Sequence, residues 1–215
     1  MGNCGVGFAP SRPAERQWLI ELMEGVEQIP GSALAEGITW NWESFPEYLD
    51  ELERKPRAID IAAQVPHGAL RPYVMGRQGK EDDGNREATP AEIERMASLT
   101  AEAMEAGALA FSSNRVPIHM SIHGDPVPGT FASFEELSSV LSAANRTGNG
   151  LFQVVPAGGM GEDPDGPLRE FALYEKLSKS TGCRIAFGLG QITGQDKLWI
   201  EILERTQQAN REGAR

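Results

Sequence analysis

Few side chains in these 215 residues could do chemistry: a thiol between glycines (Cys4), three histidines (His67, His119, His123), and an arginine just past an apolar run (Arg115). A hydrolytic metal centre needs two or more soft or borderline ligands on one ion, so that bound water is acidified and a carbonyl polarised. Cys4 lies in a Gly-rich turn in which Gly2 and Gly5 let the backbone fold tightly around the sulfur. By residue type it is either a small buried apolar group at a strand end or one soft ligand among others. His67 follows an apolar run and precedes Gly68, which suits a ring facing a ligand or a loop imidazole bonded to backbone. His119 and His123 have the i, i+4 spacing of a helical metal clamp, but Pro117, Gly124 and Pro126 exclude a stable helix there. Arg115 can present its planar fork to a carboxylate or lie exposed in a loop. No residue is assigned as a catalytic acid, base or nucleophile.

Other groups read as structural. Trp40, Trp42, Phe45 and Tyr48 form an aromatic cluster, for which core packing is favoured over binding of an acyl chain. Asp82-Asp83 and Glu162-Asp163 lie in loop composition and are expected to be solvated. The run Gly158-Gly-Met-Gly161 lacks the Lys-Ser/Thr of a phosphate loop.

Positioning these groups falls to an alternation of helices and short apolar runs. Three capping boxes start helices: Ser44 with Glu47, Thr89 with Glu92 (and Pro90 at the first helical position), and Ser133 with Glu136. Gly107 and Gly148 stop the last two. Strands are expected at 59–65, 108–112, 151–155 and 183–189, with further helices at 14–23, 167–177 and 196–209. Strands alternating with crossover helices give a parallel α/β sheet; periodicity alone does not separate half of a (β/α)8 barrel from a doubly wound sheet. The loops 72–87, 116–130 and 156–166 all follow strands, where such folds display functional groups.

A formal charge of −11 argues against a nucleic-acid partner, which needs clustered Lys and Arg. No stretch is long and apolar enough for a membrane span and no secretory leader is evident, so the cytoplasm is the expected compartment. Two cysteines, Cys4 and Cys183, are too few to staple a chain of this length.

Several blocks, in order, resemble the D-aminoacylase (N-acyl-D-amino-acid deacylase) group of the amidohydrolase superfamily. They are Gly2-Asn-Cys-Gly5, Glu21-Leu-Met-Glu-Gly25-Val-Glu-Gln-Ile-Pro30-Gly, Trp40-Asn-Trp42-Glu-Ser-Phe-Pro-Glu-Tyr-Leu49, Ala63-Gln-Val-Pro-His67-Gly-Ala-Leu-Arg71 and Asp125-Pro-Val-Pro-Gly-Thr-Phe131. The resemblance favours the barrel. It implies an α/β partial (β/α)8 TIM barrel, running from about strand 2 or 3 to strand 6 and open at both ends. It also implies zinc-dependent hydrolysis of the amide of small N-acyl-D-amino acids, with Cys4 a metal ligand and His67 and Arg115 lining the substrate pocket. The family's His-x-His pair, its two later histidines and its aspartate base have no counterparts; Gln153 stands where some relatives carry a metal-binding histidine.

Residues 1–215 are therefore expected to be a fragment of one barrel domain, inactive alone and without retained zinc. Met1 would lie inside a strand, and Arg215 would precede the next one. The rival readings are a non-catalytic half-barrel subunit that pairs with a complementary barrel fragment, and a degenerate metal-free barrel.

Overall fold

In a computed structural model describing residues 2, 4–77 and 82–215, the alternation becomes one parallel sheet with helices packed against it. Met1 and Asn3, which carry the expectation of a strand entering Asn-Cys-Gly, lie outside the described residues, as do residues 78–81 of the loop read at 72–87. The helices are α1 (Arg16–Glu27), α2 (Gly31–Gly37), α3 (Phe45–Arg54), α4 (His67–Met75), α5 (Pro90–Glu105), α6 (Phe134–Ala144), α7 (Gly166–Thr181) and α8 (Leu198–Arg211). The strands are β1 (Gln64–Pro66), β2 (Ala110–Asn114), β3 (Leu151–Val155) and β4 (Arg184–Phe187). They lie in the order β1-β2-β3-β4, all parallel, with no reversal of the kind a doubly wound sheet needs. After α8 the chain returns to β4, where Arg215 accepts from the Ile185 amide at 3.0 Å.

The start signals act locally. Ser44 and Thr89 each accept from the amide three residues on, and Glu47 and Glu92 return the bond. Ser133 accepts from the Glu136 amide, but the Glu136 carboxylate turns inward to Arg71 and His67, so the third expected box is half formed. The expected strand at 59–65 shortens to three residues, and Ile59 is 75% exposed. The expected strand at 108–112 lies two residues later. Helix α4 replaces the start of the expected loop at 72–87 and continues through Pro72, because its face from His67 to Pro72 is buried and packing outweighs the proline.

Strand alternation sorts the sheet into two faces. Val65, Phe111, Phe152 and Val154 point to the helices and pack with Met96, Leu137, Leu141 and Leu177, each fully buried side chain contributing about 1.5–3 kcal/mol. Trp42 and Phe45 join this core, in contact with Tyr48. The opposite face carries Gln64, Ser112, Asn114 and Gln153. Over β2 it is covered by the N-terminal segment; a Cβ on Gly5 would come within 2.8 Å of the Ser113–Asn114 backbone, and the Gly68 amide donates to the Gly5 carbonyl at 2.8 Å. Among the described residues no helix is long and apolar enough to cross a membrane.

Candidate functional site

The strands end at Pro66, Asn114, Val155 and Phe187, and the segments beyond the first two carry His67, Arg115, His119 and His123. His67 is the first residue of α4 and is fully buried on the helix side of the sheet. Its Nε2 lies 2.8 Å from Glu136 Oε1 and its Nδ1 2.9 Å from Ser113 Oγ. Arg71 pairs with Glu136 and donates to the carbonyls of Gly84 and Arg86. Burial pushes the Glu136 carboxyl up, but His67 and Arg71 outweigh it and hold the group at about 2. Burial lowers the His67 imidazole below its ordinary 6.5 against the pull of Glu136. At neutral pH the ring is neutral, so Nε2–H donates to the carboxylate and Nδ1 accepts from the Ser113 hydroxyl.

Ser113, His67 and Glu136 thus have the outline of a hydrolytic triad. All three are inaccessible, however, and the carboxylate is already neutralised by Arg71, so no substrate can reach the hydroxyl. The cluster instead fastens the loops after β1 and β2, helped by Asn85, which donates to the Pro126 carbonyl at 3.0 Å and accepts from the Gly129 amide at 3.0 Å. His67 has both ring nitrogens engaged by protein. Arg115 turns to α7, pairing with Glu170 at 3.1 Å and donating to the Ala132 carbonyl at 3.0 Å. The two residues read as pocket-lining are therefore held in the helix layer in this structure.

Helix is absent at 116–130, as the prolines required; Met120 and Pro126 form an antiparallel bridge. His119 and His123 diverge. His123 is exposed beside Glu21 at 3.2 Å, whereas the His119 Nδ1 lies 2.9 Å from Asn114 Oδ1. Asn114 is fully buried, and its Nδ2 donates to the Val116 carbonyl and to Thr130 Oγ1, both at 2.8 Å. Thr130 in turn donates to the Val127 carbonyl at 2.7 Å. That direction of donation leaves Asn114 Oδ1 as an acceptor, so His119 carries its proton on Nδ1, and no described residue engages Nε2. Burial lowers the His119 imidazole, against the smaller opposing pull of Glu27 and Glu162, and keeps Nε2 unprotonated.

The acid pairs are built into turns instead of being free in solvent. Asp82 and Asp83 accept from the amides of Gly84 and Asn85, and Glu162 accepts from those of Gly158 and Met160. On the face of the sheet opposite the helices, Gln64 Oε1 and Gln153 Oε1 are buried without a partner among the described residues, each orphan costing about 1–3 kcal/mol.

Cys4 is half-buried against Val6, Trp18, Leu19, Leu22, Ala69 and Val127. Burial, with Glu27 beside it, pushes the thiol up to about 12. A metal would require the thiolate, and among the described residues no three His, Cys, Asp or Glu side chains converge as a metal-binding group. The donors present among the described residues therefore do not form a zinc centre by themselves. Alkylation of Cys4 by iodoacetamide at pH 8 is expected to run roughly ten- to a hundred-fold slower than that of an unstructured cysteine peptide. Equal rates, followed by peptide mapping, would show that the thiol does not sit in this environment.

The sequence signals behind the buried groups are uneven. Glu136 is visible as a capping residue, which hides its inward turn. Arg71 and Ser113 carry no signal of their own, and Asn114 is marked only as a polar residue ending an apolar strand.

No protein-family model matches the chain. It is 35% identical over 112 residues to the D-aminoacylase of Alcaligenes xylosoxydans xylosoxydans, covering 52% of this chain and 20% of that protein. It is 24% identical over 196 residues to the N-acyl-D-aspartate deacylase of the same organism, covering 90% of this chain and 33% of that protein. An uncharacterised Mycobacterium tuberculosis protein is 27% identical over 205 residues, covering 91% and 31%. A D-aminoacylase crystal structure, described as defining a subset of amidohydrolases, superimposes with a TM-score of 0.66 at 24% identity over 96% of this chain and 38% of that one. Another, described with a binuclear metal centre, gives 0.67 at 22% identity over the same shares. The chain spans about a third of the length of the curated relatives it matches along most of its own length. The resemblance to the D-aminoacylase group read from the sequence blocks is borne out in part of the chain by sequence and in nearly all of it by fold.

Proposed function

We propose that this chain, similar in sequence and fold to D-aminoacylase, is one portion of a hydrolase of that kind, a zinc-dependent enzyme cleaving the amide of small N-acyl-D-amino acids. The observation that carries the reading is the joint one: a parallel sheet in sequential order, in a chain that is 35% identical to a D-aminoacylase over 112 residues and superimposes on a D-aminoacylase structure over 96% of its length. We read the sheet as part of a single (β/α)8 barrel domain working in the cytoplasm. The remaining metal ligands and the general base would come from polypeptide outside these residues. Cys4 would give one ligand, and His67 and Arg115 would act on the substrate pocket from behind, by holding the loops that line it.

The 215-residue chain alone is expected to release no amine from N-acetyl-D-amino acids, with or without added zinc. Joined to the flanking parts of a D-aminoacylase barrel, it is expected to release amine in a zinc-dependent way, and Cys4→Ala to lower that rate by about 10- to 100-fold or more. A joined protein holding stoichiometric zinc that cleaves no N-acyl amino acid would refute the assignment. A metal-free degenerate barrel would hold no zinc in the same experiment.

A second reading has its own support. β1 is a terminal strand of the sheet, and beside it lies a mainly apolar cavity of about 350 Å³ lined by Val6, Phe8, Phe45, Tyr48, Ala63 and Pro66, among others. Ile59 and Ile61 next to it are exposed. Such an edge suits a module that pairs with a complementary barrel fragment. Under that reading, activity returns when the missing half is supplied as a separate chain.

A further inference from the structure

The cavity of about 350 Å³ beside β1 is near the lower end of the roughly 300–1,000 Å³ typical of small-ligand pockets. Phe8, Phe45 and Tyr48 give it aromatic walls, Met23 and Leu34 aliphatic ones, and Glu27 is the one charged side chain among the described residues that line it. These walls are held from behind. Trp42 Nε1 donates to the Phe8 carbonyl at 2.7 Å, the Phe8 ring meets Trp40 edge-on at 5.6 Å, and the Ser44–Glu47 capping box fixes the start of α3, which carries Phe45 and Tyr48. The Gln64 carbonyl oxygen is sealed off and takes no part. Glu27 is both exposed to solvent and part of the lining, so it stands at the mouth. No Lys or Arg pairs with it among the described residues. It is also the last residue of α1, whose final turn holds no basic side chain, and a helix C-terminus carries partial negative charge that favours a cation. An apolar chamber with an unpaired carboxylate at its entrance rewards an apolar body with a positive head and penalises an anion.

We propose that this cavity binds a small amine, an arylalkyl- or alkylammonium ion, with its apolar part among Phe8, Met23, Leu34, Phe45 and Tyr48 and its ammonium group on Glu27. The site goes beyond the hydrolase reading, since it requires neither zinc nor flanking polypeptide, and its preference is opposite in charge to an N-acyl amino acid, which carries a carboxylate.

Calorimetric titration of the full chain, in buffer containing EDTA, with phenethylamine, the neutral 2-phenylethanol and the anionic 3-phenylpropanoate tests the idea. The amine is expected to bind about 3- to 5-fold tighter than the alcohol, as an exposed ion pair allows, and the anion weakest. Glu27→Gln is expected to equalise amine and alcohol while leaving the alcohol unchanged. Glu27→Lys is expected to place the anion first, a reversal that misfolding cannot mimic. Leu34→Trp, which fills the chamber, should weaken all three ligands at least 10-fold, and the Met23 and Leu34 methyl resonances of the parent should shift on adding the amine. Equal or tighter binding of the anion to the parent, an amine preference that survives Glu27→Gln, methyl resonances that do not move, or no binding of the amine would each overturn the inference.

Discussion

Glu136→Ala is expected to destabilise the folded chain by about 3–5 kcal/mol at neutral pH. The substitution strands the Arg71 guanidinium, 2% exposed, and removes the acceptor for the His67 Nε2–H, which is itself fully buried. Removing one partner of a buried ion pair costs about 3–5 kcal/mol, a large share of the roughly 5–15 kcal/mol that holds an ordinary domain together. Urea unfolding followed by circular dichroism reads the change as a lower midpoint. Replacing the ensemble together, Glu136→Leu with Arg71→Met and His67→Phe, is expected to recover much of the loss, because apolar groups of similar size need no counter-charge. A Glu136→Ala chain within about 0.5 kcal/mol of the parent would mean that the three groups do not share a closed site.

The same cluster sets the acid limit of stability. The Glu136 carboxyl is depressed in the folded chain from 4.5 to about 2, so its contribution is complete above about 4.5 and is lost as pH falls through about 2. That span is worth on the order of 3 kcal/mol. His67 is also lowered, so its loss begins as pH drops below 6.5. Both signs agree: unfolding midpoints are expected to decline on acidification, and in the triple apolar variant that decline should flatten.

Gly129→Ala is the second substitution with a large expected effect. Gly129 has φ +95°, a conformation that L side chains rarely adopt, and a Cβ there would lie 2.4 Å from His67 Nδ1. The ring cannot retreat without breaking its bonds to Ser113 and Glu136. A loss of about 2–4 kcal/mol is expected, combining backbone strain with displacement of a buried polar ring. Gly124→Ala separates the two contributions, since Gly124 has φ +87° but nothing within 4 Å of the added Cβ, and it should cost only about 1–2 kcal/mol. If the two alanine variants have equal unfolding midpoints, His67 is not packed beneath Gly129.

Much of the fold was legible because its signals are short-range. A capping serine and its partner glutamate stand three residues apart, and Leu151–Val155 is an apolar run between a glycine stop and a proline; these elements formed where expected. Helix α4 was not legible, because Pro72 argues against a helix locally and only burial of six consecutive residues from His67 to Pro72 outweighs it. The candidate site was read more poorly. Cys4, His67 and Arg115 were singled out by type, yet the surroundings that decide what each can do are contributed by Glu27, Glu136 and Glu170, none of them near in sequence.

Residue types and their spacing were therefore sufficient to determine the alternating α/β order, the exclusion of a helix at 116–130, and the resemblance to the D-aminoacylase group. Only the tertiary structure decided that His67 faces the helix layer, that Arg115 is occupied by Glu170, and that His119 turns its Nδ1 to Asn114. The reason is physical. Capping and periodicity act across a few residues, whereas His67 meets Ser113 and Glu136 across 46 and 69 residues of chain, and the protonation of each buried group depends on partners that only folding assembles.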